Sequence, residues 1–228
     1  VRCLISQLQA FYFCLRLMQA WKPDGVVGFG GFTSAPVVLA GRMRGVPVAL
    51  HESNRVPGLA IRMFGRFAER VYLPPGIRLP GVRAANTRHV GLPVRKEMVR
   101  QQQAAARAGL GLDPNHKLLV VLGGSQGASP LNEWVRRRLE FFASEGIQVY
   151  CVTGLGKGRD GPVELTTAKG VPIHAQFVAF SDRIAELLSA ADLVVSRAGA
   201  GTLAELIRCE TPAILVPYPQ AADDHQRA

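Results

Sequence analysis

Three times along this chain an apolar run of strand length stops at a glycine-rich turn and passes at once into a helical pattern. Gly25 to Phe29 runs into Gly30-Gly31-Phe32-Thr33-Ser34. Lys117 to Leu122 runs into Gly123-Gly124-Ser125-Gln126-Gly127-Ala128. Leu193-Val194-Val195-Ser196 runs into Arg197-Ala198-Gly199-Ala200-Gly201-Thr202-Leu203-Ala204-Glu205. Such units build parallel sheets covered by helices, and ligands of these sheets bind beyond the carboxyl ends of the strands. The third unit says most about the ligand. Small residues from Ala198 to Gly201 admit a guest close to the backbone. The helix that begins there aims free N–H groups and its positive dipole end at that point, which suits an anion, most often a phosphate. Thr202 adds a hydroxyl in the first turn, and Glu205 is an acceptor suited to sugar hydroxyls. A plain tight turn packed on a sheet would use the same small residues, so both readings stand at this point.

The remaining pattern fills in two α/β blocks. Residues 1–22 predict a helix with Leu4, Leu8, Phe11, Leu15 and Met18 on one face. Most of that face is expected in the core, with Ile5, Tyr12, Phe13 and Trp21 leaving room for a membrane-facing patch. Ala35 to Arg44 predicts a helix, and Val46 to Leu50 a strand that runs into His51-Glu52-Ser53-Asn54. Leu59 to Arg70 predicts a basic amphipathic helix with Arg62, Arg66 and Arg70 on one side, fit either for an anionic membrane surface or for water. Val71 to Leu73 is expected as a strand, 74–86 as loop, 96–110 as helix and 128–142 as one continuous helix. Strands follow at 147–153, 171–177 and 213–216, with a helix at 182–190. Gly154-Leu155-Gly156-Lys157-Gly158 resembles a phosphate loop but lacks the spacing and the final Lys-Ser/Thr of a P-loop, and is not counted as one. The charge balance changes near residue 94, which puts the expected domains at 1–94 and 95–228, with a cleft between them suited to a nucleotide.

Charge separates the blocks. Residues 1–95 hold 13 Lys/Arg against 3 Asp/Glu, whereas 96–228 hold 14 of each, so the net +10 belongs to the first block. That asymmetry points to a negatively charged partner, lipid headgroups or nucleic acid, or to charge that merely keeps the protein soluble. Cys3, Cys14, Cys151 and Cys209 form no C-x-x-C pair and no metal spacing with the five histidines, which predicts buried free thiols, no metal and a reducing compartment. No apolar run reaches the roughly 18 residues of a membrane span. Val1 is not a methionine, and Asp223 to Ala228 stop without a terminating signal. The chain is therefore expected to be a piece of a longer protein.

Two rival readings need weighing. Gly199-x-Gly201-x-x-Ala204 fits the loose dinucleotide fingerprint, with Asp223 or Asp224 about 20 residues on, as in an NAD-dependent dehydrogenase. Against this, the motif comes after several βα units, Glu205 is already placed for a ribose, and the turn at Gly123 to Gly127 would have no task. A nucleic-acid-binding protein is the other rival, but no helix-turn-helix, RNP or zinc module is visible.

Six stretches together resemble the MurG family of bacterial glycosyltransferases: Gly28-Phe29-Gly30-Gly31-Phe32, His51-Glu52-Ser53-Asn54, Gly91-Leu92-Pro93-Val94-Arg95, Gly123 to Ala128, Ser196 to Glu205 and Asp224-His225-Gln226. They fall in the family's order over the whole chain. The resemblance implies a GT-B fold, an α/β architecture of two Rossmann-like domains with parallel sheets facing across a cleft. It implies an inverting transfer of N-acetylglucosamine from UDP-N-acetylglucosamine to the C4 hydroxyl of the muramyl sugar of lipid I, forming lipid II for peptidoglycan, without a cofactor. By motif, Ala200, Gly201, Thr202, Leu203 and Ala204 would receive the pyrophosphate and sugar, Glu205 the ribose, and Ser125 the nucleotide. Arg95 would lie near the nucleotide, Ser181 where the family reads uracil, Gln226 on the N-acetylglucosamine, and Asn54 would reach the donor from the first block. His51 and Glu52 are the candidates for proton transfer, each equally able to orient its loop. The enzyme would sit peripherally on the cytoplasmic face of the bacterial plasma membrane, docked through the first block on anionic lipid, and would bind no nucleic acid. Leu92 stands where the family usually has Asn, and Ser181 is more polar than usual. The family's first glycine loop and its C-terminal helices would lie outside residues 1–228, so the piece alone is expected to be inactive.

Overall fold

The computed structural model describes residues 2–124, 127–157 and 161–219. The chain divides into two compact units, Val1–Leu92 and Pro93–Arg227.

The first unit begins with α1 (Arg2–Trp21), followed by β1 (Val26–Gly28), α2 (Ser34–Met43), β2 (Val48–His51), α3 (Leu59–Phe64), β3 (Arg70–Leu73) and β4 (Thr87–His89). The strands form one sheet in the order β1-β2-β3-β4, every pair parallel. Val48 and Leu50 on β2, Val71 and Leu73 on β3, Val38 on α2 and Ile61 on α3 make its core. The register pairs His51 with Tyr72, so the loop His51 to Asn54 leaves at the carboxyl end of the sheet.

Three expectations change here. The helix predicted over 59–70 ends early: after Phe64 the chain tightens into a 3-10 turn, Gly65–Phe67, and Ala68 is already extended. A Cβ on Gly65 would come within 2.5 Å of Leu79 Cδ2, so the chain passes there at a distance only glycine allows. Arg70 therefore opens β3 and does not share a helix face with Arg62 and Arg66. The short strand β4, in the stretch read as loop and interdomain segment, was not foreseen. Among the described side chains of α1, Phe11, Cys14, Leu15 and Met18 pack against the core, whereas Leu8, expected inside, is 61% exposed. Ile5, Tyr12, Phe13, Leu17 and Trp21 are also exposed.

The second unit runs α4 (Gln103–Gly109), β5 (Lys117–Leu122), α5 (Ser129–Arg137), α6 (Leu139–Ser144), β6 (Ile147–Val152), β7 (Gly161–Thr166), β8 (Pro172–Val178), α7 (Ile184–Ala190), β9 (Leu193–Arg197), α8 (Ala200–Cys209) and β10 (Ala213–Val216). Its sheet has the order β10-β9-β5-β6-β8-β7, parallel except for β7. β5 is buried on both faces: Leu118, Val120 and Leu122 join one apolar cluster, Leu119 and Val121 another. That explains its unbroken apolar run. From β5 the chain builds outward through β6 on one side and returns to β9 on the other. The carboxyl ends of β5 and β9 are thus a topological switch point, where sheets of this kind bind ligands.

Residues 96–102 lie outside the helix expected over 96–110. Backbone turns from Met98 N to Arg95 O (3.0 Å) and Val99 N to Glu97 O (2.9 Å) hold them, and the Met98 sulfur is buried 3.7 Å from Cys209 Sγ. The helix expected through Phe142 breaks at Arg138, whose φ of −112° and ψ of 6° are not helical. β7, an antiparallel edge strand, was not foreseen. α4 is fixed by Arg107, which is 7% exposed and donates to Ala190 O (3.1 Å), Pro114 O (3.1 Å) and Asp192 Oδ2 (2.5 Å). Leu118 N also donates to Asp192 Oδ2 at 2.7 Å, and Lys117 Nζ lies 3.6 Å from its other oxygen. Burial pushes the Asp192 carboxyl up, but these donors outweigh it and hold it below the usual carboxylate range.

Candidate functional site

The site is built at the switch point from two strand ends. After β5 the turn folds so tightly that a Cβ on Gly123 would collide with the Ala128 amide. Gly127 has a φ of +68°, and a Cβ there would strike the Thr153 carbonyl and come within 2.9 Å of Gly154 Cα. These glycines bring the β5 turn against the turn that follows β6. After β9 the chain enters α8 with Gly199 as an extended N-cap that makes no side-chain cap hydrogen bond. The first helical bond is Leu203 N to Gly199 O (2.9 Å), so the N–H groups of Ala200, Gly201 and Thr202 project past the helix end.

Between these turns lies a cavity of about 740 Å³. Its walls include Gly123, Gly124, Gly201, Thr202 and Glu205, with two cationic side chains, Arg197 and Lys157. Arg197 donates to Pro217 O at 3.0 Å, and its guanidinium carbon stands 5.6 Å from the centre of the Tyr218 ring. A second cavity of about 350 Å³ shares Gly123, Gly124, Thr202 and Glu205 with the first. It is lined by Leu122, Val152, Leu155, Phe180 and Ile184, with Ser181 and Arg95 beside them. The first is thus polar and cationic, and the second largely apolar. Thr202 and Glu205, three residues apart on one side of α8, stand at the junction.

Glu205 has a side chain 24% exposed, and its Oε1 lies 3.7 Å from Arg95 Nη2. Burial raises its pKa above the ordinary value, and Arg95 pulls it back in part. Ser181 Oγ accepts from Arg183 N at 3.2 Å at the start of α7. Arg95, Ser181, Gly201, Thr202 and Glu205 thus come together. Ala200, Leu203 and Ala204 occupy the same first turns of α8 without lining either cavity. Ser125 and Gln226 lie outside the described residues, as do Asp223 and Asp224. Arg197 lies within a motif of small residues and Lys157 in a loop without P-loop spacing, so neither stands out in the sequence.

In the first unit, Glu52 is 5% exposed and organises the loop after β2. Its Oε1 accepts from Ser53 N (2.9 Å), Asn54 N (2.8 Å) and Asn54 Nδ2 (3.1 Å), and its Oε2 accepts from Gly58 N (2.7 Å). His51, also 5% exposed, packs its ring 5.2 Å from that of Phe29, and its Nε2 is 3.4 Å from Gly91 O. Its Nδ1 is buried without a hydrogen-bond partner. Among the described residues no cluster of His, Cys, Asp and Glu is arranged to hold a metal ion.

Comparison with known proteins gives this geometry its context. The model of the glycosyltransferase family 28 N-terminal domain matches residues 2–73, and that of the family 28 C-terminal domain matches residues 118–228. A protein of Opitutus terrae named UDP-N-acetylglucosamine--N-acetylmuramyl-(pentapeptide) pyrophosphoryl-undecaprenol N-acetylglucosamine transferase is 63% identical over 227 residues, covering 100% of this chain and 60% of the relative. Its namesake from Parasynechococcus marenigrum is 43% identical over 228 residues, covering 99% of this chain and 60% of the relative. The crystal structure of Acinetobacter baumannii MurG is 29% identical with a TM-score of 0.70, covering 98% of this chain and 60% of that one. The chain thus spans about 60% of the length of these relatives. None of these matches is a dehydrogenase.

Proposed function

Because the chain belongs to glycosyltransferase family 28, we propose that it is the larger part of an inverting N-acetylglucosaminyltransferase that uses UDP-N-acetylglucosamine as donor and lipid I as acceptor. One observation carries the reading: the β5 turn, the start of α8 and Glu205 border one cavity at the switch point of the second unit. In this reading the diphosphate lies against the α8 N-terminus and the N–H groups of Ala200, Gly201 and Thr202. The ribose hydroxyls donate to Glu205, and the uracil enters the apolar cavity beside Ser181. Arg95 steadies the Glu205 carboxylate at the ribose. Leu203 and Ala204 hold the first turn of α8, while Ser125 and Gln226 would add contacts to nucleotide and sugar.

The acceptor C4 hydroxyl attacks the anomeric carbon, and the bond to the UDP oxygen breaks. Negative charge grows on the diphosphate, where the helix end stabilises it without a metal. The hydroxyl proton goes to a base. Glu52 commits both oxygens to N–H groups of its own loop and reads as a positioning residue that also holds Asn54. His51, whose Nδ1 is buried and unpaired, is the remaining candidate for the proton.

The first unit supports docking on the cytoplasmic face of the plasma membrane. The exposed side of α1 carries Leu8, Tyr12, Phe13 and Trp21, and Leu59, Met63 and Phe67 are exposed on the α3 segment. No helix of the described residues is long and apolar enough to cross a membrane. An apolar face within a basic unit suits an anionic bilayer surface and a lipid-linked acceptor.

Calorimetry with UDP-N-acetylglucosamine, UDP-glucose and NAD tests the reading. UDP-N-acetylglucosamine is expected to bind, UDP-glucose more weakly and NAD not at all. Binding of NAD without binding of a UDP-sugar would overturn it.

A further inference from the structure

The loop Gly154-Leu155-Gly156-Lys157 fails the P-loop pattern, yet the fold brings it to the nucleotide cavity. We propose that Lys157 is a second cationic contact for the donor diphosphate, held in place by Asn132. The proposal rests on the UDP-sugar reading and names a residue of this chain that the reading leaves unused.

Three observations meet at this loop. Lys157 lines the 740 Å³ cavity together with Arg197, Gly201 and Thr202. The sheet order places β9 on one side of β5 and β6 on the other. Arg197 at the end of β9 and Lys157 on the turn after β6 therefore stand on the two sides of the β5 end, where Gly123 and Gly124 line the same cavity. The Lys157 stem is fixed close to that turn, since a Cβ on Gly127 would sit 3.1 Å from Lys157 Cγ.

The third observation is Asn132, a polar residue on α5 only 3% exposed. Its Nδ2 donates to Thr153 O at 2.9 Å and reaches Lys157 O at 3.4 Å, so one buried amide grips both ends of the loop. Lys157 N closes the loop from within by donating to Gly154 O at 3.1 Å. A buried side chain clamping an otherwise short, glycine-rich turn makes sense if the turn must present something, and among the described residues of the turn Lys157 is the charged side chain. An ammonium is a point charge with three donors and suits the non-bridging oxygens of a diphosphate. Two cations across the cavity also match a guest with two phosphates better than one with a single phosphate. Asn132 acts through the loop and is a positioning residue.

The test is calorimetry of the full chain with UDP, UMP and uridine, for wild type, Lys157→Met, Lys157→Arg and Asn132→Asp. Lys157→Met is expected to weaken UDP about tenfold, the loss typical of one charge-assisted hydrogen bond. It should weaken UMP less and leave uridine unchanged, and Lys157→Arg should restore most of the UDP affinity. Asn132→Asp removes the amide donor at nearly constant volume and should weaken UDP while leaving uridine binding intact, which also shows that the unit is folded. Unchanged UDP affinity in Lys157→Met, or an equal loss for UDP and uridine, would overturn the proposal. If wild type binds UDP and Lys157→Met binds it equally well, only the lysine assignment fails. If wild type binds neither UDP nor UDP-sugar, the functional reading itself fails.

Discussion

Arg95 Nη2 stands 3.7 Å from Glu205 Oε1, joining the segment that opens the second unit to the first turns of α8. Burial raises the Glu205 pKa, and Arg95 partly offsets it. A glutamate accepts ribose hydroxyls more strongly when ionised than when protonated. UDP affinity should therefore fall on acidification at a higher pH than an ordinary glutamate would give. Arg95→Gln removes the opposing charge and should move that fall to higher pH still. Titrations of UDP binding across a pH series, compared between the two proteins, check the direction; a shift to lower pH would contradict it.

The same carboxylate should cost stability when the site is empty. With its folded pKa above the unfolded one, the native state holds the proton more tightly, so stability declines as pH rises through the raised value. At neutral pH Glu205→Gln should therefore raise the Tm of the ligand-free protein by about 1–3 °C. It should at the same time weaken UDP by roughly tenfold or more, as a charged acceptor is lost. The gain in Tm should shrink at acidic pH, where wild type is protonated too. Thermal unfolding at both pH values reads the difference.

Asp192 behaves in the opposite sense. Its pKa is held down, so its contribution is present above the unfolded value and is lost as pH falls through the folded one. Arg107→Met leaves the carboxylate without its main charged partner and should destabilise the second unit by about 3 kcal/mol. Adding Asp192→Asn should recover part of that loss. Urea unfolding of the single and double variants gives the coupling directly, and strict additivity would show that the pair is not coupled.

Lipid docking predicts that exposed aromatics on α1 act with the basic surface. Phe13→Glu with Trp21→Glu should lower partition onto anionic vesicles by about tenfold or more, on the scale of burying one large apolar side chain. Both residues are more than half exposed, at 65% and 77%, so the fold should be unaffected. Raising salt should weaken wild type more on anionic than on neutral vesicles. Equal partition of variant and wild type in a co-sedimentation assay would remove α1 from the interface.

Strands buried on both faces were the most legible elements. β5 was read to the residue because nothing polar interrupts Lys117 to Leu122, and α8 was read because a turn of small residues precedes it. What escaped lay where tertiary contacts override local pattern. α3 ends at Phe64, a 3-10 turn follows and Ala68 is already extended, leaving Arg70 on a strand. β4 holds three polar residues at a sheet edge, and the alternation of β7 is carried by only two inward residues, Val163 and Leu165. For the site, the motif exposed Gly201, Thr202 and Glu205, because a helix N-terminus is written in adjacent residues. Arg197 and Lys157 were hidden because their proximity depends on sheet order: β9 and β6 flank β5 although 40 residues part Lys157 from Arg197.

Gly123 and Gly127 admit no side chain, since a Cβ at either would strike backbone. The consequence reaches beyond one protein's stability. Mutation at Gly123 or Gly127 can do little except break the turn, so a lineage that keeps the fold should keep those two glycines. Leu155 and Phe180, 75% and 70% exposed at the rim of the apolar cavity, are under no such restraint. Descendants that come to accept a different ligand should therefore carry their substitutions at the rim, around a fixed Gly123 and Gly127.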